Sequence, residues 1–383
     1  MNRRKFLKIV GSSAVIVAAG GIGFVATRTP SDALEPWNAA GSQYSDPMRR
    51  ALSYAILAPN PHNRQPWIID IKSDTEAELY CDLERLLPAT DPFSRQIVIG
   101  LGCLLELFSI SAAEQGYMAD IRYFPHGENH DRLDQRPIAQ LSLVKQDGLA
   151  PDPLFAHVLT RHTNRDPFDT ERIIDDGVLG RLRGVAAISA LVGTTGDGKQ
   201  LNDLRTLTRD AMVAEIMTPE AYQESIDLMR IGRAEIEANP DGISLGGAFL
   251  ESLSIFGVLS RESLADPASS SFQIGLDMID AGAMSAMGFV WITTQGSDRT
   301  AQIEAGRAYM RVALQAAADR LSMQPMSQAL QEYVEMAPYY KTVHDELAKQ
   351  PGERLQMLAR LGFAKEDVGP APRWALETRI RES

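Results

Sequence analysis

Ala58-Pro59-Asn60-Pro61-His62-Asn63-Arg64-Gln65-Pro66-Trp67 is the stretch on which the reading of the fold turns. Three prolines fix φ and remove backbone donors, so the segment reads as a rigid loop between a helix and a strand. Its side chains are amides and an imidazole, able to donate and accept toward a planar heterocycle. A rigid turn with solvated amides explains the same residues. Upstream, Met48, Leu52, Ala55 and Ile56 fall on one face of a helix over residues 46–58. Downstream, residues 67–72 and 78–83 read as strands, 96–116 as a long apolar helix, and 120–124 and 138–144 as strands.

A Pro/Asp/Gly-rich junction at 146–153 separates this half from a second. The second half opens with a short helix and Arg161-His162-Thr163-Asn164-Arg165. A helix, a strand at 187–193 and a helix at 200–217 follow, then a Met-, Gly- and Ser-rich insertion at about 218–286 with helical pieces. Beyond it come a strand at 289–294, an Ala-rich helix at 299–321, Gln324-Pro325-Met326 and a short strand at 355–361. Gln96-Ile97-x-x-Gly100 matches Gln302-Ile303-x-x-Gly306 at an offset of 206. Two fused copies of one α+β unit explain the match; a chance likeness between two apolar helices explains it too.

The 383 residues are 44% hydrophobic, 23% charged and 7% aromatic, which excludes a disordered, collagen-like or disulfide-scaffold chain. The net charge is −12, and removing Arg3, Arg4, Lys5, Lys8 and Arg28 from the acid-free first 28 residues leaves −17. So acidic a body repels phosphate backbones, so nucleic acid is excluded as a partner. Cys81 and Cys103 are too few for a zinc cluster or a disulfide framework and read as small apolar fillers. Paired arginines in Asn2-Arg3-Arg4-Lys5-Phe6-Leu7-Lys8, followed by a weakly apolar run over 9–27, resemble a twin-arginine export signal. An uncleaved anchor is the alternative, since the run approaches the ~20 residues that span a bilayer. The division expected is therefore 1–30 signal, 31–45 linker, 46–150 first repeat, and 151–383 second repeat with a lid at 218–286.

Three stretches together resemble the nitroreductase family of FMN enzymes. The Pro59–Trp67 loop is similar to that family's Ala-Pro-Ser-x-x-Asn-x-Gln-Pro-Trp motif, which reaches the flavin from the opposite subunit of a homodimer. Arg161–Arg165 resembles its Arg-Arg-Ser-x-Arg run, and Pro372-Arg373-Trp374-Ala375-Leu376 its C-terminal Pro-Arg-x-x-Leu. Arginine forks suit phosphate oxygens, and Thr163 adds a hydroxyl. The first half holds the loop without the phosphate arginines, and the second holds the arginines without a second Gln-Pro-Trp. That split is similar to the Acg-type branch, in which one chain mimics the dimer and a lid covers the flavin. Asn60-Pro61 replaces the family's serine, and His162 its second arginine, which weakens phosphate neutralisation.

The resemblance implies an α+β nitroreductase-like fold of two fused repeats, each a mixed or antiparallel sheet packed by helices, with an inserted helical lid. It implies one FMN held by Arg161, Thr163, Arg165, Arg373, Asn60, Asn63, Gln65 and Gln324, with no catalytic side chain, because hydride passes through flavin N5 to a nitroaromatic, quinone or similar acceptor. A non-catalytic, flavin-sequestering protein is the other reading. The expected partners are a small-molecule acceptor, the twin-arginine machinery and a membrane or protein electron donor. The chain would be a periplasmic or membrane-anchored monomer with its dimer interface inside one chain.

Two rival motifs carry less. Gly193-Thr194-Thr195-Gly196-Asp197-Gly198-Lys199 has P-loop spacing, but Gln200 replaces the magnesium-binding hydroxyl and Asp197 puts a carboxylate in the cradle. His126 and His130 sit four apart, but Pro125, Gly127 and Asn129 oppose the helix that would align them, so no metal is expected.

Overall fold

The computed structural model describes residues 28–185 and 190–381. The signal expected over residues 2–27 and the first residues of the strand expected at 187–193 lie outside them. The fold is α+β, built on two four-stranded antiparallel sheets. The first contains β1 (Trp67–Ser73), β2 (Glu76–Cys81), β3 (Tyr117–Tyr123) and β4 (Ala139–Lys145) in the order β1-β2-β4-β3. The second has β5 (Ala190–Thr195), β8 (Gly288–Gln295), β9 (Ser322–Pro325) and β10 (Glu353–Gly362) in the order β5-β8-β10-β9. Between β5 and β8 the insertion carries a short parallel pair, β6 (Met229–Ile231) and β7 (Ile243–Leu245). The two four-stranded orders are the same when strands are matched in sequence, and each sheet is crossed by one 20-residue helix after its second strand.

Those helices, Arg95–Glu114 and Arg299–Ala318, cross at Gly102 and Gly306. A Cβ on Gly102 would lie 3.0 Å from Gly306 Cα and closer still to Ile303 O, and one on Gly306 would lie 2.9 Å from Gly102 Cα and collide with Ile99 O. The contact is reciprocal, and it pairs residues 204 apart rather than the 206 of the Gln-Ile-x-x-Gly match. Close backbone approach sets this register, and side-chain likeness does not. The same offset pairs Arg95 with Arg299, each buried at its helix start and each reaching into the other half. Arg95 donates to Leu330 O and Gln356 O at 2.7 Å, and Arg299 to Phe93 O at 2.8 Å and His130 O at 3.1 Å.

The junction at 146–153 divides the sequence but not the core. One apolar cluster joins Trp67, Leu79 and Leu141 to Phe108 and Leu104, and on to Met310, Leu314, Ile292 and Leu361. The expected linker is also corrected. Ser31–Ala39 is a helix, because Ala33 and Trp37 give it a buried face. The Trp37 indole N–H donates to Ala371 O at 2.9 Å, and its ring meets His162 edge-on at 5.3 Å. The C-terminal segment then runs back along the first sheet, where Ile380 bridges Ile69 and Arg381 N–H donates to Ile69 O at 2.8 Å.

Candidate functional site

A cavity of about 380 Å³ opens where the Pro59–Asn63 loop, the two central helices, the Arg161–Arg165 segment and the 218–286 insertion meet. Its volume is that of a small-molecule site. Asn60, Asn63, Arg161, Thr163, Arg165, Gln324 and Arg373 all line it, from both halves of the chain. Gln65 does not. It is fully buried behind the wall, where its amide donates to Pro240 O at 2.7 Å and accepts from Trp374 N–H at 2.9 Å. It ties the loop to the insertion and to the C-terminal segment.

The loop holds an uncommon backbone. His62, Asn63 and Gln65 have φ of 46°, 52° and 49°, left-handed positions on either side of a right-handed Arg64, each costing of order 1–3 kcal/mol. Its own amides hold it: Asn60 Oδ1 accepts from Gln65 N–H at 2.7 Å, and Asn63 Nδ2 donates to Pro372 O at 2.9 Å. Arg373, buried, completes the clamp. Its guanidinium donates to the carbonyls of Ile56, Leu57 and Ala58 at 3.0, 3.0 and 3.1 Å and to Asn63 Oδ1 at 2.6 Å. The donors expected for a phosphate are thus already engaged, so Arg373 shapes the loop and adds charge to the wall. Burial, with help from Arg161, pushes its pKa down to about 9, so it stays charged at neutral pH.

Arg161 and Arg165 differ from it. Arg161 is buried and makes one long hydrogen bond, to Leu57 O at 3.4 Å. Arg165 is exposed and lines the cavity, and desolvation by the surrounding protein holds both arginines below the usual range. Among the described residues neither pairs with a carboxylate, and the same is true of Arg373. In a chain of net charge −12, three cations without carboxylate partners give this part of the cavity wall a positive field that suits a negative ligand. Two imidazole nitrogens on that wall, His62 Nδ1 and His162 Nε2, are buried without a partner. Unpaired cations, orphaned imidazole nitrogens and the exposed Thr163 hydroxyl fit the phosphate and polar chain of a nucleotide-like cofactor.

Three site residues escaped sequence reading. Arg360, in the middle of β10, is buried and donates to Gln324 Oε1 at 2.6 Å and to Arg165 O and Asp166 O at 2.9 Å, so it positions both Gln324 and the arginine segment. A charge inside the run Leu358-Ala359-Arg360-Leu361 was its signal. Asp241, in the insertion, receives Arg64 (3.3 Å) and Arg85 (2.5 Å) from the body and Arg230 (2.8 Å) from the insertion itself. Glu215 lies on the cavity wall, hydrogen-bonded to Gln331 Nε2. The rival motifs do nothing comparable. Lys199 points to solvent and pairs with Asp203, and residues 126–131 form a loop. Among the described residues no group of His, Cys, Asp and Glu could hold a metal.

Two buried titrating groups give the fold opposite pH slopes. Burial, then Arg165 and Arg64, lowers the His62 pKa to about 4, so its contribution is present above pH 6.5 and is lost as pH falls toward 4. Burial raises that of Glu215 to about 7, so its contribution is present below pH 4.5 and is lost as pH rises toward 7. Each full span is about 3 kcal/mol, so the two slopes nearly cancel in the overlapping window. Glu215→Gln is expected to make stability rise with pH there, and His62→Gln to make it fall. Urea midpoints at a series of pH values check this; parallel curves for both variants and the parent would refute it.

In this α+β protein both halves line one cavity, and the second half sets three arginines without carboxylate partners on its wall. Over most of its length this chain is similar to proteins named as NAD(P)H nitroreductases. It is 26% identical over 346 residues to Rv3131 of Mycobacterium tuberculosis, covering 86% of this chain and 88% of that protein. The acg protein of the same organism is 31% identical over 125 residues, 32% of this chain and 36% of that one. PigM of Serratia sp. is 22% identical over 208 residues, 54% and 57%. No family model matches. Among solved structures, the FMN-dependent nitroreductase NfnB of Mycobacterium smegmatis with NADPH aligns at 14% identity and TM-score 0.38, covering 60% of this chain and 98% of that one. A nitroreductase of Desulfitobacterium hafniense with bound FMN aligns at 12% and 0.36, covering 61% and 98%.

Proposed function

We propose that the chain is an FMN-binding oxidoreductase of the nitroreductase type. The observation that carries this is the set of Arg161, Arg165 and Arg373, three cations without carboxylate partners on the wall of one cavity. Arg161, Arg165 and Thr163 would hold the FMN phosphate, with the Arg373 charge behind them. Gln324, oriented by Arg360, and Asn60 would face the polar parts of the cofactor. FMN, when bound, supplies two-electron redox chemistry between an NAD(P)H-type donor and a small-molecule acceptor. The chain's part is to bind, orient and exclude water, the last through the insertion, which covers the cavity with Tyr222, Met229, Ile243 and Ile279.

The matched strand orders and the reciprocal glycine crossing support the reading of two fused repeats, a monomer whose pseudo-dimer interface lies within one chain. We place the protein outside the cytoplasm, exported by the twin-arginine route on the strength of residues 2–27. The three-arginine hold on Asp241 favours a second reading, a flavin-sequestering protein with its lid shut.

Reconstitution separates these. One FMN per chain is expected; two, or none, would refute the composite site. Anaerobic NADPH should then bleach the flavin absorbance. Bleaching by dithionite alone would favour sequestration or a different electron partner.

A further inference from the structure

The phosphate wall accounts for one part of the cavity. Glu215 stands on another, buried, on the helix Gly198–Met217 between Met212 and Ile216. Its surroundings are built. Gln331 donates its amide N–H to Glu215 Oε2 and accepts from the Tyr333 hydroxyl at 2.9 Å, which fixes the direction of the amide. Gln328 Oε1, on the same wall, is buried without a partner. Gln328, like Gln331, hydrogen-bonds the Glu215 carboxyl, and the titratable groups that face it from neighbouring elements are Glu224, on the helix Pro219–Asp227, and Tyr333. The helix Ser270–Met284 turns Ile279 to the cavity and leaves Asp277 and Asp280 exposed. Among the described residues no cation pairs with Glu215. A carboxyl so placed, beside apolar neighbours and facing a second carboxylate, holds its proton up to about neutral pH.

We propose that Glu215, with Gln328 and the apolar side chains of Met212, Ile216 and Ile279, lines the acceptor side of the cavity and selects uncharged aromatic acceptors over anionic ones. This rests on the flavin reading above. The protonated carboxyl donates to one ligand oxygen while the ring lies on the apolar side chains. Once Glu215 ionises the donor is lost, and any anionic substituent is repelled by an unpaired buried carboxylate. Glu215 therefore sets both the charge preference of the site and its pH dependence, and it does so through binding.

The test uses the full chain loaded with FMN, with 1,4-naphthoquinone and its 2-sulfonate as probes, by equilibrium dialysis from below to above pH 7. Neutral quinone affinity should fall about fivefold across that range in the parent, one neutral hydrogen bond's worth. Glu215→Gln, still a donor, should bind it with no pH dependence and should gain affinity for the sulfonate. Glu215→Ala should be weak throughout. An infrared carboxyl band that titrates near pH 7 in the parent and vanishes in Glu215→Gln is the independent readout. Full FMN content with unchanged quinone affinity in Glu215→Ala, or a parent-like pH profile in Glu215→Gln, overturns the subsite. A parent that takes up no FMN overturns the reading beneath it, and the two failures are told apart by the flavin content.

Discussion

Gly306→Ala is expected to lower stability by about 3 kcal/mol or more, the upper end of what overpacking costs. Alanine is the better helix former by about 1 kcal/mol, so propensity alone predicts the opposite sign. Geometry decides. The new methyl would meet Ile99 O and the Gly102 backbone, which have no rotamers with which to retreat, so the two central helices must move apart. Their separation opens the core that joins both sheets, because Ile99, Leu104, Met310 and Leu314 pack in one cluster. Gly102→Ala should behave alike, since the contact is reciprocal. Gly275→Ala is the control. That glycine lies in a helix where an added methyl would meet nothing within 4 Å, so alanine there should stabilise. Urea unfolding of the three variants checks the set. If Gly306→Ala gains stability as Gly275→Ala does, the helices do not cross this closely.

Arg161→Ala and Arg165→Ala should each weaken FMN binding roughly ten- to hundredfold, since a charge-assisted hydrogen bond contributes ~1.5–3 kcal/mol. Arg161 has an additional signature. It is a buried cation whose only bond among the described residues is the long one to Leu57 O, so its removal should leave the FMN-free protein as stable as before, or more so. Arg373→Ala should do the reverse. Removing it strips donors from the carbonyls of Ile56, Leu57 and Ala58, and the loss shows as instability of the FMN-free protein before any flavin is added. Fluorescence titration with FMN and thermal unfolding without it separate the two roles. An Arg161→Ala protein with undiminished FMN affinity and reduced stability would remove Arg161 from the phosphate wall.

The elements were legible in the sequence wherever periodicity was strong. The long helix expected at 96–116 is Arg95–Glu114, and the strand expected at 289–294 is Gly288–Gln295. Ser31–Ala39 was not legible, because Pro36 and the small residues around it read as a break. Only Trp37 and Ala33, docked against distant residues, make it a helix. The arginines of the cavity were legible as types at motif spacing. Their division of labour was not. That Arg373 commits its donors to carbonyls some 317 residues away, while Arg161 is left nearly bare, is a property of the assembled wall and of no local pattern. Asp241 and Glu215 looked like ordinary helix and loop acids, and only burial separates them from the many acids on the surface.

The Arg373 clamp also orders events in time. The carbonyls of Ile56, Leu57 and Ala58 emerge long before the guanidinium that binds them. At about 5–20 residues per second of synthesis, the interval is roughly 15–60 s. Through that delay the left-handed turns at His62, Asn63 and Gln65 lack the brace that holds them. The loop stays unset until the returning segment arrives. Bracing of the loop is then a late, single event, and a nascent chain interrupted before Arg373 would lack it.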